Sequence, residues 1–144
     1  MGQTTRTIWK NCGLKITKIF DKYGEKYFRD KEEEIILNLL SNNKKSSVIA
    51  LGGGAFLNKK IQKVILKKTI SVWLDANTEL IHNRCKKSNE RPLLYRSNDK
   101  DLKKIIKKIL KNRRPIYSKA KFVVKTNEKP KKVCDNILNV LKIF

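Results

Sequence analysis

The sequence predicts a single α/β domain. Short β-like runs alternate along the chain with longer runs whose apolar residues recur at helical spacing, and this alternation is typical of an α/β fold. A length of 144 residues suits one domain. Hydrophobic residues make up 40% of the chain despite a charged fraction of 33%, so the composition is that of a folded protein.

Each element of this prediction has a local signal. Gly24 is expected to separate the first two helices, because glycine commonly follows a helix C-terminus. The first strand, residues 47–51, has a compact apolar sequence typical of a buried strand and runs directly into a glycine triplet. The predicted strands cover residues 47–51, 69–74 and 121–125. The predicted helices cover residues 15–23, 25–40, 59–67, a segment after Thr78, a segment from Asp101, and residues 129–141.

A polar stretch at about residues 86–100 interrupts this alternation and contains Arg91. Long polar loops inside compact domains are usually either functional or disordered. We therefore predict a mobile lid here.

The charge of the chain raises the possibility of a polyanionic partner. The net charge is +22 and the isoelectric point is about 10.1, and clustered cations bind nucleic acid by displacing its counterions. However, 28 of the 35 basic residues are lysines, which recur on the polar faces of the predicted helices. Such a distribution favours a solvated surface, so nucleic-acid binding is expected to be weak and nonspecific.

The cysteine pattern indicates a reducing compartment. Cys12, Cys85 and Cys134 are odd in number, lie far apart and form no metal-binding cluster. No run approaches the ~20 apolar residues of a membrane span, and no signal peptide is recognisable. A cytoplasmic monomer with no membrane association is expected.

The arginines and the glycine triplet are the strongest local clues to a ligand. In a chain that uses lysine for most surface cations, arginine suggests a planar donor for a carboxylate or phosphate. Arg29, Arg91 and Arg113 lie on separate predicted elements, although each alone is more often a surface residue. The segment 52–54 brings bare backbone to the carboxyl edge of the sheet, where α/β folds bind ligands, unless it is only a tight turn.

Four other residues receive structural interpretations. His82, the only histidine, lies on a charged helix and is predicted to be exposed. Trp9 and Trp73 are predicted to pack in the core, and Asp75 to begin a turn or helix rather than bind a metal.

Several local motifs follow one another along the chain. They are Ile19-Phe20, Tyr23-Gly24-Glu25, Phe28-Arg29, Glu32, Leu51-Gly52-Gly53-Gly54-Ala55, Val72-Trp73-Leu74-Asp75, Arg91-Pro92-Leu93-Leu94 and Arg113-Arg114-Pro115-Ile116-Tyr117. Taken in this order, the motifs resemble those of the shikimate kinase family over residues 12–144. Gluconate kinase and adenylate kinase relatives share the general architecture. The resemblance implies a P-loop-kinase-like parallel sheet with flanking helices.

The resemblance implies roles for five residues. Arg29 and Arg113 would hold the carboxylate of shikimate, and the backbone of Gly53 would contact a ring hydroxyl. Arg91 would reach the phosphates of ATP from the lid, and Arg84 would pack on the adenine. ATP and Mg²⁺ are the cofactors implied by the family.

Residues 1–11 diverge from the family pattern. The motif G-x-x-x-x-G-K-[ST] is absent from the chain, as is the aspartate pair of the family's D-x-D. No catalytic residue is therefore assigned, and the Mg²⁺ ligands are absent. The family sheet has the order 2-3-1-4-5, so the chain is expected to lack the first β-α-β portion, including a central strand, and to be marginally stable.

These observations favour a shikimate kinase-like protein that is inactive as written. The family reaction is ATP-dependent phosphorylation of the 3-hydroxyl of shikimate in the chorismate pathway of aromatic amino acid biosynthesis. The alternatives are a pseudo-kinase that still binds shikimate and a basic nucleic-acid-binding module. The sequence leaves open whether the missing segment is a gene-model error or a real deletion.

Overall fold

The computed structural model describes residues 13–14, 16–42, 47–86 and 99–142, which fall into two compact units. The N-terminal unit extends to Lys68 and the C-terminal unit begins at Thr69. The N-terminal unit contains α1 (Ile16–Asn42), a 3-10 turn (Ala55–Leu57) and α2 (Lys59–Lys68). The C-terminal unit contains β1 (Val72–Asp75), α3 (Thr78–Lys86), α4 (Asp99–Tyr117), β2 (Phe122–Lys125) and α5 (Pro130–Leu141).

Helix α1 is divided at Gly24, which confirms the predicted break. The backbone of Gly24 has φ 78° and ψ 169°, a conformation that is almost exclusive to glycine. On either side of it, apolar residues face inward at helical spacing. One buried cluster is formed by Ile16, Ile19 and Phe28, and a second by Ile36, Ala55, Ile61 and Ile65.

The predicted strand at residues 47–51 is not formed in this structure. Most of the segment is exposed, and Val48 is 92% accessible. A strand requires a hydrogen-bonded neighbour, and the described residues of the N-terminal unit include no other strand. Only the end of the segment is packed, where Leu51 contacts the second buried cluster.

The C-terminal unit contains a parallel pair of strands, which confirms the predicted α/β class. Strand β1 pairs with β2 in the register Val72↔Phe122 to Asp75↔Lys125. The intervening chain includes α3 and α4, as expected because parallel strands require a long crossover connection. The backbone pairing extends beyond the strand ends, where the amide of Thr126 donates to the carbonyl of Asp75 at 2.9 Å.

Helices α3 and α4 pack against each other and bury residues from both. His82 is only 7% exposed, so the prediction of an exposed histidine was wrong. His82 and Cys85 are three residues apart and therefore share one face of α3, and both are buried. Trp73 is half-buried rather than fully in the core, and Trp9 lies outside the described residues. None of the helices described is both long and apolar enough to cross a membrane.

Candidate functional site

Arg29 is the centre of the charged cluster in the N-terminal unit. It lies on α1 one turn after Glu25 and one turn before Glu32, so the three side chains share a helix face. Its Nη1 donates to Glu32 at 2.6 Å, and its Nε and Nη2 donate to Glu25 at 3.3 and 3.2 Å. The guanidinium also lies 5.2 Å from the ring centroid of Phe28. These contacts hold the guanidinium in one orientation.

The same guanidinium lies directly against the glycine turn. A Cβ atom added to Gly54 would be 2.5 Å from Nη1 of Arg29 and 2.8 Å from its Cζ, closer than real Cβ atoms approach. The turn is closed by a hydrogen bond from the amide of Ala55 to the carbonyl of Gly52, at 3.0 Å. The absence of a side chain at Gly54 therefore lets a cation rest on bare main chain.

Glu32 is the buried member of this cluster. Its side chain is 3% exposed, whereas that of Arg29 is 31% exposed. Burial raises the pKa of Glu32 above its ordinary value, because desolvation outweighs the hydrogen bond and the positive charge of Arg29; the nearby Glu25 raises it further. Arg29 thus supplies the hydrogen bond and the charge that favour an ionised Glu32.

Arg29 retains the capacity to bind an anion. A guanidinium has five N–H groups, and the three described hydrogen bonds to Glu25 and Glu32 use one on each of its three nitrogens. Beyond these three bonds the guanidinium has two further N–H groups, one on Nη1 and one on Nη2, and its side chain is 31% exposed. A partly exposed arginine held in this way is suited to recognise a small carboxylate.

In the C-terminal unit a second buried carboxylate lies at the end of β1. Asp75 is 5% exposed and accepts a hydrogen bond from Nη2 of Arg114 at 3.1 Å. The ammonium of Lys125, its neighbour across the strand pair, forms an ion pair with the other carboxylate oxygen. Asp75 is therefore an ion-pairing residue and the last residue of β1, rather than the start of a turn or helix as predicted.

Two of the other predicted site residues, Arg113 and Arg84, lie in the C-terminal unit. Arg113 is half-buried near the end of α4, and Arg84 is exposed near the end of α3. Gly53, by contrast, belongs to the glycine turn of the N-terminal unit. Arg91 and most of the predicted lid lie outside the described residues.

The residues described provide no evident metal site. Among them, no group of three or more histidine, cysteine, aspartate or glutamate side chains could hold a metal ion. Magnesium coordination is therefore not assigned to any of these residues.

Two interacting groups were not predicted as such from the sequence. Glu32 belongs to one of the motifs quoted above, but its ion pair with Arg29 was not predicted. The signal that could have predicted it is their spacing of three residues on one helix. The pairing of Asp75 with Arg114 joins residues 39 positions apart and had no comparable local signal.

A parallel strand pair with flanking helices is an α/β arrangement, and similarity to solved structures assigns it to the P-loop kinase class. The family profile described as Shikimate kinase matches residues 4–142, a range that includes most of the segment predicted to be divergent. The chain belongs to the shikimate kinase family.

Individual relatives agree with this assignment. The chain is 36% identical over 138 residues to the shikimate kinase of Bartonella henselae, covering 95% of this chain and 63% of that protein. It is 39% identical over 131 residues to the Aquifex aeolicus shikimate kinase, covering 91% and 74%. The structure of the Acinetobacter baumannii shikimate kinase in complex with shikimate is similar to this one with a TM-score of 0.84 and a sequence identity of 29%. The similarity covers 97% of this chain and 75% of that protein. The chain thus spans less than two thirds of the length of the first of these relatives.

Proposed function

We propose that this chain provides the shikimate-binding part of a shikimate kinase, an enzyme that transfers the γ-phosphoryl group of ATP to the 3-hydroxyl of shikimate. The observation that carries the proposal is the placement of Arg29. Its guanidinium is fixed by two glutamates, rests on the backbone of Gly54, and has one further N–H on each terminal nitrogen to donate to a carboxylate. The relative from A. baumannii is described in complex with shikimate, which supports the choice of ligand.

The roles of the individual residues form part of the proposal. Arg29 and Arg113 bind the shikimate carboxylate, and the backbone of Gly53 contacts a ring hydroxyl. ATP with Mg²⁺ supplies the phosphoryl group, Arg91 contacts the phosphates, and Arg84 packs on the adenine. In phosphoryl transfer the protein acts mainly by positioning the reactants and neutralising charge, so these arginines account for recognition rather than for proton transfer.

Calorimetric or NMR titration of shikimate against the whole chain tests this proposal without requiring turnover. We expect a millimolar dissociation constant, about 4 kcal/mol of binding free energy. The variant Arg29→Lys keeps the charge but removes the planar fork, and it should lose about 1.5 to 3 kcal/mol, the value of a hydrogen bond to a charged group.

Two controls sharpen the titration. Lys107→Arg, an exposed change on α4, should leave the affinity unchanged. Replacing shikimate by its methyl ester should abolish most of the effect of Arg29→Lys, because the ester lacks the negative carboxylate. Wild-type protein that does not respond to shikimate at tens of millimolar would refute the proposal.

The second candidate function is nonspecific nucleic-acid binding, which the net charge of +22 favours. Such binding should fade between ~50 and 200 mM salt, because it depends on counterion release. Sequence-selective DNA binding that survives physiological salt, measured by anisotropy of a labelled duplex, would reverse the order of the two functions.

The protein is further proposed to act as a cytoplasmic monomer. Cys85 is buried and Cys134 is exposed, and neither forms a disulfide among the described residues, which suits a reducing compartment. Light scattering after gel filtration should give a mass near 16.8 kDa. A mass of twice that value would refute the monomer.

A further inference from the structure

Two contacts join strand β1 to the end of helix α4. Asp75 accepts the hydrogen bond from Arg114 at 3.1 Å, and the ring of Trp73 lies 5.9 Å from that of Tyr117, measured between centroids. Trp73 and Asp75 are two residues apart and project from the same face of the strand. Arg114 and Tyr117 are three residues apart and project from the same face of the helix.

The spacings of the two contacts match. Residues two apart on a strand are separated by about 6.6 Å, and residues three apart on a helix by about 4.5 Å along its axis. The long aromatic and charged side chains span the difference of about 2 Å between these two separations, so both contacts form at once. Two contacts on one face fix the rotation of the helix about its axis as well as its position.

This part of α4 depends on such support. Pro115 lies inside the helix and has no amide hydrogen, so the hydrogen bond to the carbonyl four residues earlier cannot form. The contacts made by Arg114 and Tyr117 lie on either side of Pro115 in the sequence. The helix geometry around Arg113 is therefore maintained partly from outside the helix.

We infer that Asp75 and Arg114 are positioning residues that fix the orientation in which Arg113 can bind a substrate carboxylate. The inference rests on the proposed function. Arg113 precedes Arg114 and so points about 100° around the helix from it. When Asp75 holds Arg114, the direction of Arg113 is set. Arg114 thus holds the helix in place, and Arg113 binds the ligand.

The experiment is a double-mutant cycle read by NMR titration of shikimate into the whole chain. Arg114→Gln removes the guanidinium from a side chain that is 46% exposed and leaves Lys125 paired with Asp75. We expect it to weaken shikimate binding by about 10-fold, the scale of one hydrogen bond to a charged group. In an Arg113→Ala background the same change should alter the affinity by less than about 2-fold, because sites that act through one another are not additive.

Asp75→Asn should give the same non-additive pattern with Arg113→Ala. If this substitution of a buried residue prevents folding, the result for Arg114→Gln alone tests the positioning role. Lys111→Gln, which removes an exposed cation from the same helix, should not change binding. In a Trp9→Phe background Trp73 is the only tryptophan, so its emission verifies that each variant is folded.

Equal weakening by Arg114→Gln with and without Arg113 would overturn the positioning role, as would unchanged affinity in the single variants. Both results require wild-type protein that binds shikimate. If the wild type does not bind, the proposed function itself fails and this inference with it, which is a distinguishable result.

Discussion

The two units each contain a buried carboxylate paired with a partly exposed arginine, and the two pairs are built differently. In the N-terminal unit, Glu32 and Arg29 are three residues apart on one helix. In the C-terminal unit, Asp75 and Arg114 lie 39 residues apart, one on a strand and the other on a helix. The first pair follows from local helix geometry, whereas the second requires the tertiary fold.

The pairs also differ in how many cations serve the carboxylate. Arg29 is the cation described at Glu32, whereas Asp75 has both Arg114 and Lys125. Removing one partner of a buried ion pair is costly mainly because the other charge remains buried without compensation. The N-terminal pair should therefore be sensitive to loss of its arginine, and the C-terminal pair should tolerate it.

The largest expected effect tests this difference directly. Arg29→Met keeps most of the aliphatic stem and leaves the buried Glu32 without its cation, so the free energy of unfolding at pH 7 should fall by about 3 kcal/mol. Arg114→Met should cost about 1 kcal/mol or less, because Lys125 remains and Arg114 is nearly half exposed. Urea unfolding followed by circular dichroism measures both changes.

The cost of Arg29→Met should shrink as pH is lowered toward the ordinary carboxyl pKa of 4.5, since a protonated Glu32 carries no charge to compensate. Equal costs for the two variants would show that the second cation at Asp75 has no energetic role.

The next effect concerns the backbone that precedes the N-terminal pair. Gly24→Ala forces a side chain into the conformation with φ 78° and ψ 169°, and should reduce stability by about 2 kcal/mol. Among the described residues, the C-terminal unit has no positive φ angle, so its ion pair does not depend on such a glycine. Chemical denaturation of the variant provides the measurement. Gly54→Ala is the matched control for backbone strain, because Gly54 has φ −96°.

Gly54→Ala should instead act on ligand binding. Alanine is compatible with the backbone at this position, but its Cβ would displace the Arg29 guanidinium from the turn. We expect shikimate affinity to fall by about 10-fold, or about 1.4 kcal/mol. Titration should also show no further loss when Gly54→Ala is added to Arg29→Ala. A variant with full affinity would show that the guanidinium does not need to rest on the glycine turn.

The smallest effect compares the adjacent residues Glu32 and Glu33. The pKa of Glu32 is raised by burial, so its folded form holds a proton more tightly, and its contribution to stability is lost as pH rises above the ordinary value of 4.5. The pKa of Glu33 is lowered by hydrogen bonds from Asn58 and Lys60, so its contribution is present above the ordinary value and lost as pH falls below it.

Unfolding free energies measured from pH 3 to 7 for Glu32→Gln and Glu33→Gln should therefore deviate from wild type in opposite directions with pH. Deviations of the same sign would contradict the assigned environments.

The sequence predicted the elements with strong local signals. The break at Gly24, the strands near residues 69–74 and 121–125, and a helix from Asp101 follow from periodicity and glycine placement. The failures have a common physical origin. Residues 47–51 have an apolar strand-like sequence, but a strand exists only when a partner is hydrogen-bonded to it. The burial of His82 depends on the packing of α3 against α4, which no local pattern specifies.

The candidate site was predictable to a similar extent. Arg29 and the glycine turn were recognised by residue type, and the structure places Arg29 against Gly54, next to the predicted Gly53. The ion pair between Asp75 and Arg114 depends on where β1 and α4 meet and was not predicted. The contributions of Arg84, Arg91 and Arg113 to binding remain predictions.

The close approach of Arg29 to Gly54 also constrains how this family member can diverge. Any side chain at position 54 meets the guanidinium within 3 Å, so a mutation there is accepted without rearrangement only after position 29 has changed to a shorter residue. The two positions are therefore epistatic, and the order of substitutions matters. In a mutational library selected for shikimate binding, glycine at position 54 should be enriched among clones that keep Arg29. Among clones that have lost Arg29, glycine at position 54 should show no enrichment.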